Sequence, residues 1–190
     1  MQAAPKLSVL AALALVVGAA VAGEITDSGV FSTGTVNTSA GFLSTARQNV
    51  GVAEQNGKIK NTAVIVNGAV NSSVGFLSSA NQSIARATQN GQIGQTAIVA
   101  QGVNNTAAGF LSTADQEIGF AKGDGKVQGS FVGATGVSNV AGGFLASAHQ
   151  QIGGAQGSGK LNNSTIFGTG QVNTAAGFLS TADQSVGVAK

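Results

Sequence analysis

The chain has 190 residues, only 8% of them charged against a usual ~25%, and a net charge of +2, so it offers no basic surface for nucleic acid. A hydrophobic content of 43% excludes simple disorder, and 29 Gly beside a single Pro exclude a Pro/Gly linker. Cys, Trp and Tyr are absent, so disulfides cannot hold the fold and Trp or Tyr stacking platforms for bases are missing.

The N-terminus reads as a secretory signal over 1–22. Lys6 supplies the positive region, Leu7 to Val17 the apolar region, and Ala20-Val21-Ala22 a small-residue cleavage site. The apolar run from Leu7 to Ala22 is 16 residues, interrupted only by Ser8, and is short for a membrane span of ~20. Export is the expectation.

From residue 24 onward the chain repeats every 34 residues. Glu24-Ile25 matches Lys58-Ile59, Gln92-Ile93, Lys126-Val127 and Lys160-Leu161. The segment 23–190 therefore divides into tandem units 24–57, 58–91, 92–125, 126–159 and 160–190, with no second domain. Position 47 varies freely, as Arg47, Asn81, Asp115, His149 and Asp183. Other columns hardly vary at all.

Each unit opens with β-branched residues, as in Lys58 to Asn67, which predicts strand. Gly34, Gly68, Gly102, Gly136 and Gly170 mark a bend, and Gly41 with its equivalents marks another. The second half carries Phe110, Leu111, Ala114, Ile118 and Ala121, whose spacing also suits a helix. Fixed and free positions nevertheless alternate from 44 to 50, and a helix would hold Gly51, Gly119 or Gly153 near its end. The strand reading places Phe110, Ser112, Ala114, Gln116 and Ile118 on one buried face. Gly57, Gly91, Gly125 and Gly159 close the unit in contexts that suit a left-handed turn residue. The expected fold is all-β: a β-solenoid or cross-β stack of five 34-residue rungs, each strand–bend–strand.

Stacking then superposes identical side chains. Asn37, Asn71, Asn105, Asn139 and Asn173 form one column, and Gln48, Gln82, Gln116, Gln150 and Gln184 another. A buried amide is costly unless paired, and in a stack each can donate to one neighbour and accept from the other. Phe42, Phe76, Phe110, Phe144 and Phe178 form a third column, of stacked rings. These ladders are assembly elements, not catalytic ones. The first unit starts in phase and the last keeps Gly177-Phe178-Leu179 and Gln184, so no atypical capping unit blunts either edge. Addition of one copy to another would then give an open filament.

The stretch Gly170-Gln171-Val172-Asn173-Thr174-Ala175-Ala176-Gly177, with Gln184, resembles the repeat of the Fap functional-amyloid subunits. It is similar in kind, though not in spacing, to the repeats of curli subunits. The resemblance covers every unit after the signal. It implies an exported bacterial fibre subunit of biofilm matrix and surface adhesion, secreted through a dedicated outer-membrane pore. Its partners would be further copies of itself and a related fibre subunit. The Fap C-terminal Cys pair and long linkers have no counterpart here, which makes the match closer to a compact minor or nucleating subunit.

An enzyme is not expected. His149 is the one histidine, in the variable column, and no carboxylate pair, nucleophile–base set, metal cluster or cofactor motif recurs. The alternatives are a monomeric β-solenoid binding module for ice or glycan and a surface adhesin that does not polymerise. An ice-binding array would want matched rows of exposed Thr. The available columns are Ser28, Thr62, Thr96, Ser130, Ser164 and Thr45, Ser79, Thr113, Ser147, Thr181.

Overall fold

The computed structural model describes the backbone of Ala20–Val21 and all of residues 24–188; the rest of the signal stretch lies outside the described residues. Every regular element among them is a β-strand. The second rung is typical, with strands Lys58–Lys60, Ala63–Asn67, Val70–Val74 and Leu77–Thr88. Each strand pairs in parallel with its counterpart 34 residues on, as in Ile59↔Ile93, Val64↔Ile98, Asn71↔Asn105 and Gln82↔Gln116. Four parallel sheets result, and the chain is a β-solenoid of five turns.

A rung thus has four strands and four corners, more than strand–bend–strand and one corner beyond those that the Gly34, Gly41 and Gly57 columns mark. The extra corner lies at Asp27, Asn61, Gln95, Gly129 and Asn163, all left-handed with φ between 47° and 57°. Asn, Asp and Gly visit that region most readily, so the corner is written in a column that varies by residue type yet not by conformation. The Gly34 column turns the next corner, with φ of 59–67°.

The closing corner corrects the expectation for Gly57 and its equivalents. The left-handed residues are two positions earlier: Gln55, Gln89, Gly123 and Gly157, at φ 57°, 58°, 70° and 78°. Glycine is required at 57, 91, 125 and 159 for space. A Cβ on Gly91 would lie 2.9 Å from the Thr88 nitrogen and 3.0 Å from the Ala87 Cβ, inside the turn closed by Gly91 N–H donating to Thr88 O.

The long fourth strand contains the feature that looked helical. In Leu111–Lys122, Ser112, Ala114, Gln116 and Ile118 point inward, as alternation demands. Gly119 then adopts φ 61°, and the inward phase shifts so that Ala121 is buried three residues after Ile118. The spacing of three comes from a kink, as at a β-bulge, and not from a helical turn. Gly51, Gly153 and Gly187 occupy the same place, while Ala85 is the one non-glycine in the column, at φ 51°.

The interior holds two cores, with the Gln116 column lying between them on the fourth strand. Ile59, Ile93, Ile98, Ile118 and Ile152 belong to an aliphatic core shared by the first, second and fourth strands. Ala80, Ala107, Ala114, Ala141 and Ala148 fill a thinner one between the third strand and the start of the fourth. Small side chains there let the two sheets approach closely. Outside, Arg86 reaches Glu54 at 3.5 Å and Glu117 at 3.2 Å, bracing the first three rungs.

At the first rung, Ala20–Val21 pairs with Ala53–Glu54, with Ala20 opposite Ala53, one residue out of the 34-residue spacing. The sequence had suggested that nothing blunts this edge. That short pairing touches only the last two strand residues of the rung.

Candidate functional site

The third strand places the Asn column inward, against the fourth. Asn71, Asn105 and Asn139 are wholly buried, which would be costly without partners. Each Nδ2 donates to the Oδ1 of the Asn in the next rung, at 2.8 Å along the column from Asn37 to Asn173. The same amide nitrogen ties strands together: Asn105 Nδ2 lies 3.0 Å from Ala80 O in the previous rung and 2.9 Å from Asp115 O in its own. The column is both a ladder and a clamp.

The Gln column runs parallel to it on the fourth strand. Gln82 Nε2 donates to Gln48 Oε1 at 2.6 Å, Gln116 to Gln82 and Gln150 to Gln116 at 2.7 Å, and Gln184 to Gln150 at 2.8 Å. These amides therefore point toward the first rung, whereas the Asn amides point toward the fifth. At the first rung Gln48 Nε2, with no earlier glutamine to meet, donates to Thr35 Oγ1 at 2.8 Å. Nothing in the Gln spacing signals that contact.

The Phe column is stacked, with centroids 5.0–5.2 Å apart and planes within 11°. Its placement on the buried face is corrected. The fourth strand begins at Leu77, Leu111 or Leu145, and the Gly-Phe pair before it forms the corner. Phe76, Phe110 and Phe144 are each 45% exposed, and Phe42 and Phe178 on the edge rungs 70% and 77%. Alternation starts one residue after the aromatic ring, so the rings and the adjoining leucines line the outside of the stack.

Of the two hydroxyl columns, the Ser28 to Ser164 one turns inward over its interior rungs, and the Thr45 to Thr181 one faces outward with Ser and Thr mixed. Thr62, Thr96 and Ser130 are buried and donate to carbonyls two residues earlier, Lys60 O, Gly94 O and Gln128 O, at 2.7–3.0 Å. The Thr45 column lies beside the Leu43 column along a shallow groove.

The variable column faces outward. His149 Nδ1 sits 3.2 Å from Asp183 Oδ2, and its Nε2 lies 2.8 Å from Ser147 Oγ. Burial raises the Asp115 carboxyl above its ordinary value, with His149 opposing and Glu117 adding to the rise. Among the described residues, no three His, Cys, Asp or Glu side chains are grouped to hold a metal ion.

The ladders end at the two edge rungs with bonding capacity unused. Among the described residues, Asn37 Oδ1 and Gln184 Oε1 accept no hydrogen bond, while Asn173 Nδ2 donates to Ala148 O and Asp183 O and has no axial acceptor to share its protons with, as the interior Asn amides do. The strands Gly29–Thr33 and Val36–Ala40 on one edge, and Thr165–Thr169 and Val172–Ala176 on the other, each pair on one side only. An unpaired, in-register parallel edge is a template for another strand. The chain matches no known family pattern, no characterised protein and no solved structure, so its two open edges and their ladders stand as the basis for any functional reading.

Proposed function

We propose that the chain is a secreted structural subunit that self-assembles, rung on rung, into extracellular fibres of the functional-amyloid kind. One observation carries this reading: the edge rungs repeat the interior rungs, ladder for ladder, and both offer unpaired strands. Soluble solenoids hide such edges with divergent capping units. Here the fifth rung keeps Asn173, Phe178 and Gln184, and the first keeps Asn37, Phe42 and Gln48.

The N-terminal charge and hydropathy pattern supports export, and the likeness to Fap repeats supports a role in biofilm matrix and adhesion, as a minor or nucleating subunit. On that reading its partners are its own copies, a related fibre subunit and an outer-membrane secretion pore. No cofactor and no catalysis are assigned. The ice-binding alternative is weakened by the turned-in hydroxyls of Thr62, Thr96 and Ser130.

The test is growth of the chain from Gly23 onward. Detergent-resistant fibres with axial and lateral diffraction spacings near ~4.8 and ~10 Å are expected. A chain that stays monomeric at high concentration in negative-stain microscopy and sedimentation overturns the proposal.

A further inference from the structure

We propose that the two edge rungs form a polarity-selecting seam between two copies of this chain, with Asp183 of one copy against Arg47 of the next and Lys160 against Glu24. The inference rests on the fibre reading above and specifies how its copies meet.

The parallel register extends by arithmetic. Within the chain every residue faces the one 34 positions away, so beyond the fifth rung the position equivalent to Asp183 is Arg47 of an incoming copy. The position equivalent to Lys160 is Glu24. All four side chains are exposed. The chain already uses such steps: Glu24 stands opposite Lys58, and Asp183 beside His149. Both seam pairs bring opposite signs together.

Two further columns fit the same joint. Phe31 and Phe167 share a column whose interior members are Ile65, Val99 and Gly133, so aromatic rings occur there only on the edge rungs. They are 67% and 54% exposed, and the joint stacks one on the other. The ladders match as well. Asn173 Nδ2 meets the free Oδ1 of Asn37, and Gln48 Nε2 turns from Thr35 to the free Oε1 of Gln184. Each edge supplies a free acceptor, Asn37 Oδ1 or Gln184 Oε1, placed where the other edge's amide meets it as the interior amides meet theirs.

Two like edges cannot reproduce this. Turning one copy over to face edge with edge makes the strands antiparallel and moves every column off its partner. The seam therefore sets one stacking polarity, first rung against fifth. Ala20–Val21 pairs only with Ala53–Glu54, and the chain from Gly23 onward lacks it.

The experiment is seeded elongation of purified protein at low salt, with circular dichroism to establish that each variant keeps its β content. Asp183→Arg sets two cations together at the joint and is expected to slow elongation about tenfold or more, with the defect shrinking as salt screens it. Asp124→Arg, in a turn of the third rung, is expected to elongate like the unaltered protein. The double exchange R47D/D183R restores opposite signs and is expected to elongate its own seeds but not seeds of the unaltered protein. If unaltered protein forms fibres and Asp183→Arg elongates them equally fast, the seam is overturned while the fibre reading stands. If the double exchange fails to recover self-elongation, the Arg47–Asp183 contact is overturned. If unaltered protein never forms fibres, both proposals fall.

Discussion

The aliphatic core and the ladder core stack with the same 34-residue register, yet their columns vary differently from rung to rung. Ile25, Ile59, Ile93, Val127 and Leu161 exchange three residue types in one column, and Val64, Ile98, Val132 and Ile166 exchange two. The Asn and Gln columns exchange none. Burial and dispersion are non-directional, so an aliphatic column needs only roughly constant volume. An amide ladder needs a donor and an acceptor at fixed positions in every rung, and one apolar substitution strands the amides on both sides.

Four substitutions break or sharpen that contrast. Asn105→Ala is expected to cost the most, about 3–5 kcal/mol, because it removes the donor to Ala80 O and Asp115 O, takes the axial acceptor from Asn71 Nδ2, leaves the buried Asn139 Oδ1 unpaired and opens a cavity. Gln116→Ala loses only the axial bonds to Gln82 and Gln150 and is expected to cost about 2–3 kcal/mol. Both are read as shifts of the urea midpoint of the monomeric chain. Gly119→Ala comes next, at about 2 kcal/mol, since its Cβ would sit left-handed and 2.7 Å from a Val132 methyl. Ile98→Val in the aliphatic core is expected to cost only about 1 kcal/mol. Equal losses at Asn105→Ala and Ile98→Val would erase the distinction between the two cores.

The smallest effect concerns pH and the outward face. Burial holds the Asp115 carboxyl above its ordinary value, so the fold favours its protonated form. That contribution to stability is complete below the ordinary carboxylate pKa of ~3.9 and is lost as pH rises through the higher folded value. Asp115→Asn should therefore flatten the thermal midpoint across that window while leaving the ladders intact. An unchanged pH profile in Asp115→Asn would show that the carboxyl contributes nothing there.

Much of this arrangement is legible from internal comparison alone. The period, the strand phase before Ile118 and the inward Asn and Gln columns follow from which positions stay constant. The rest depends on backbone conformations that residue type signals weakly. Asp27, Asn61 and Gln95 turn a corner as Gly129 does, because only φ is held in common. Ala85 hides the kink that its glycine counterparts announce. Phe110 is constant without being buried, since a ring in a stacked column is held by its neighbours above and below and not by the core. Thr35 meets Gln48 only because the first rung has no glutamine beneath it.

The opposed directions of the two amide ladders have an electrical consequence. Amides aligned head to tail add their dipoles, as peptide units do along a helix, and a single ladder would build a field that grows with its length. Here the Asn chain runs toward the fifth rung and the Gln chain toward the first, side by side. Their axial moments oppose one another at every step. Lengthening the stack would therefore concentrate no ladder potential at its tips.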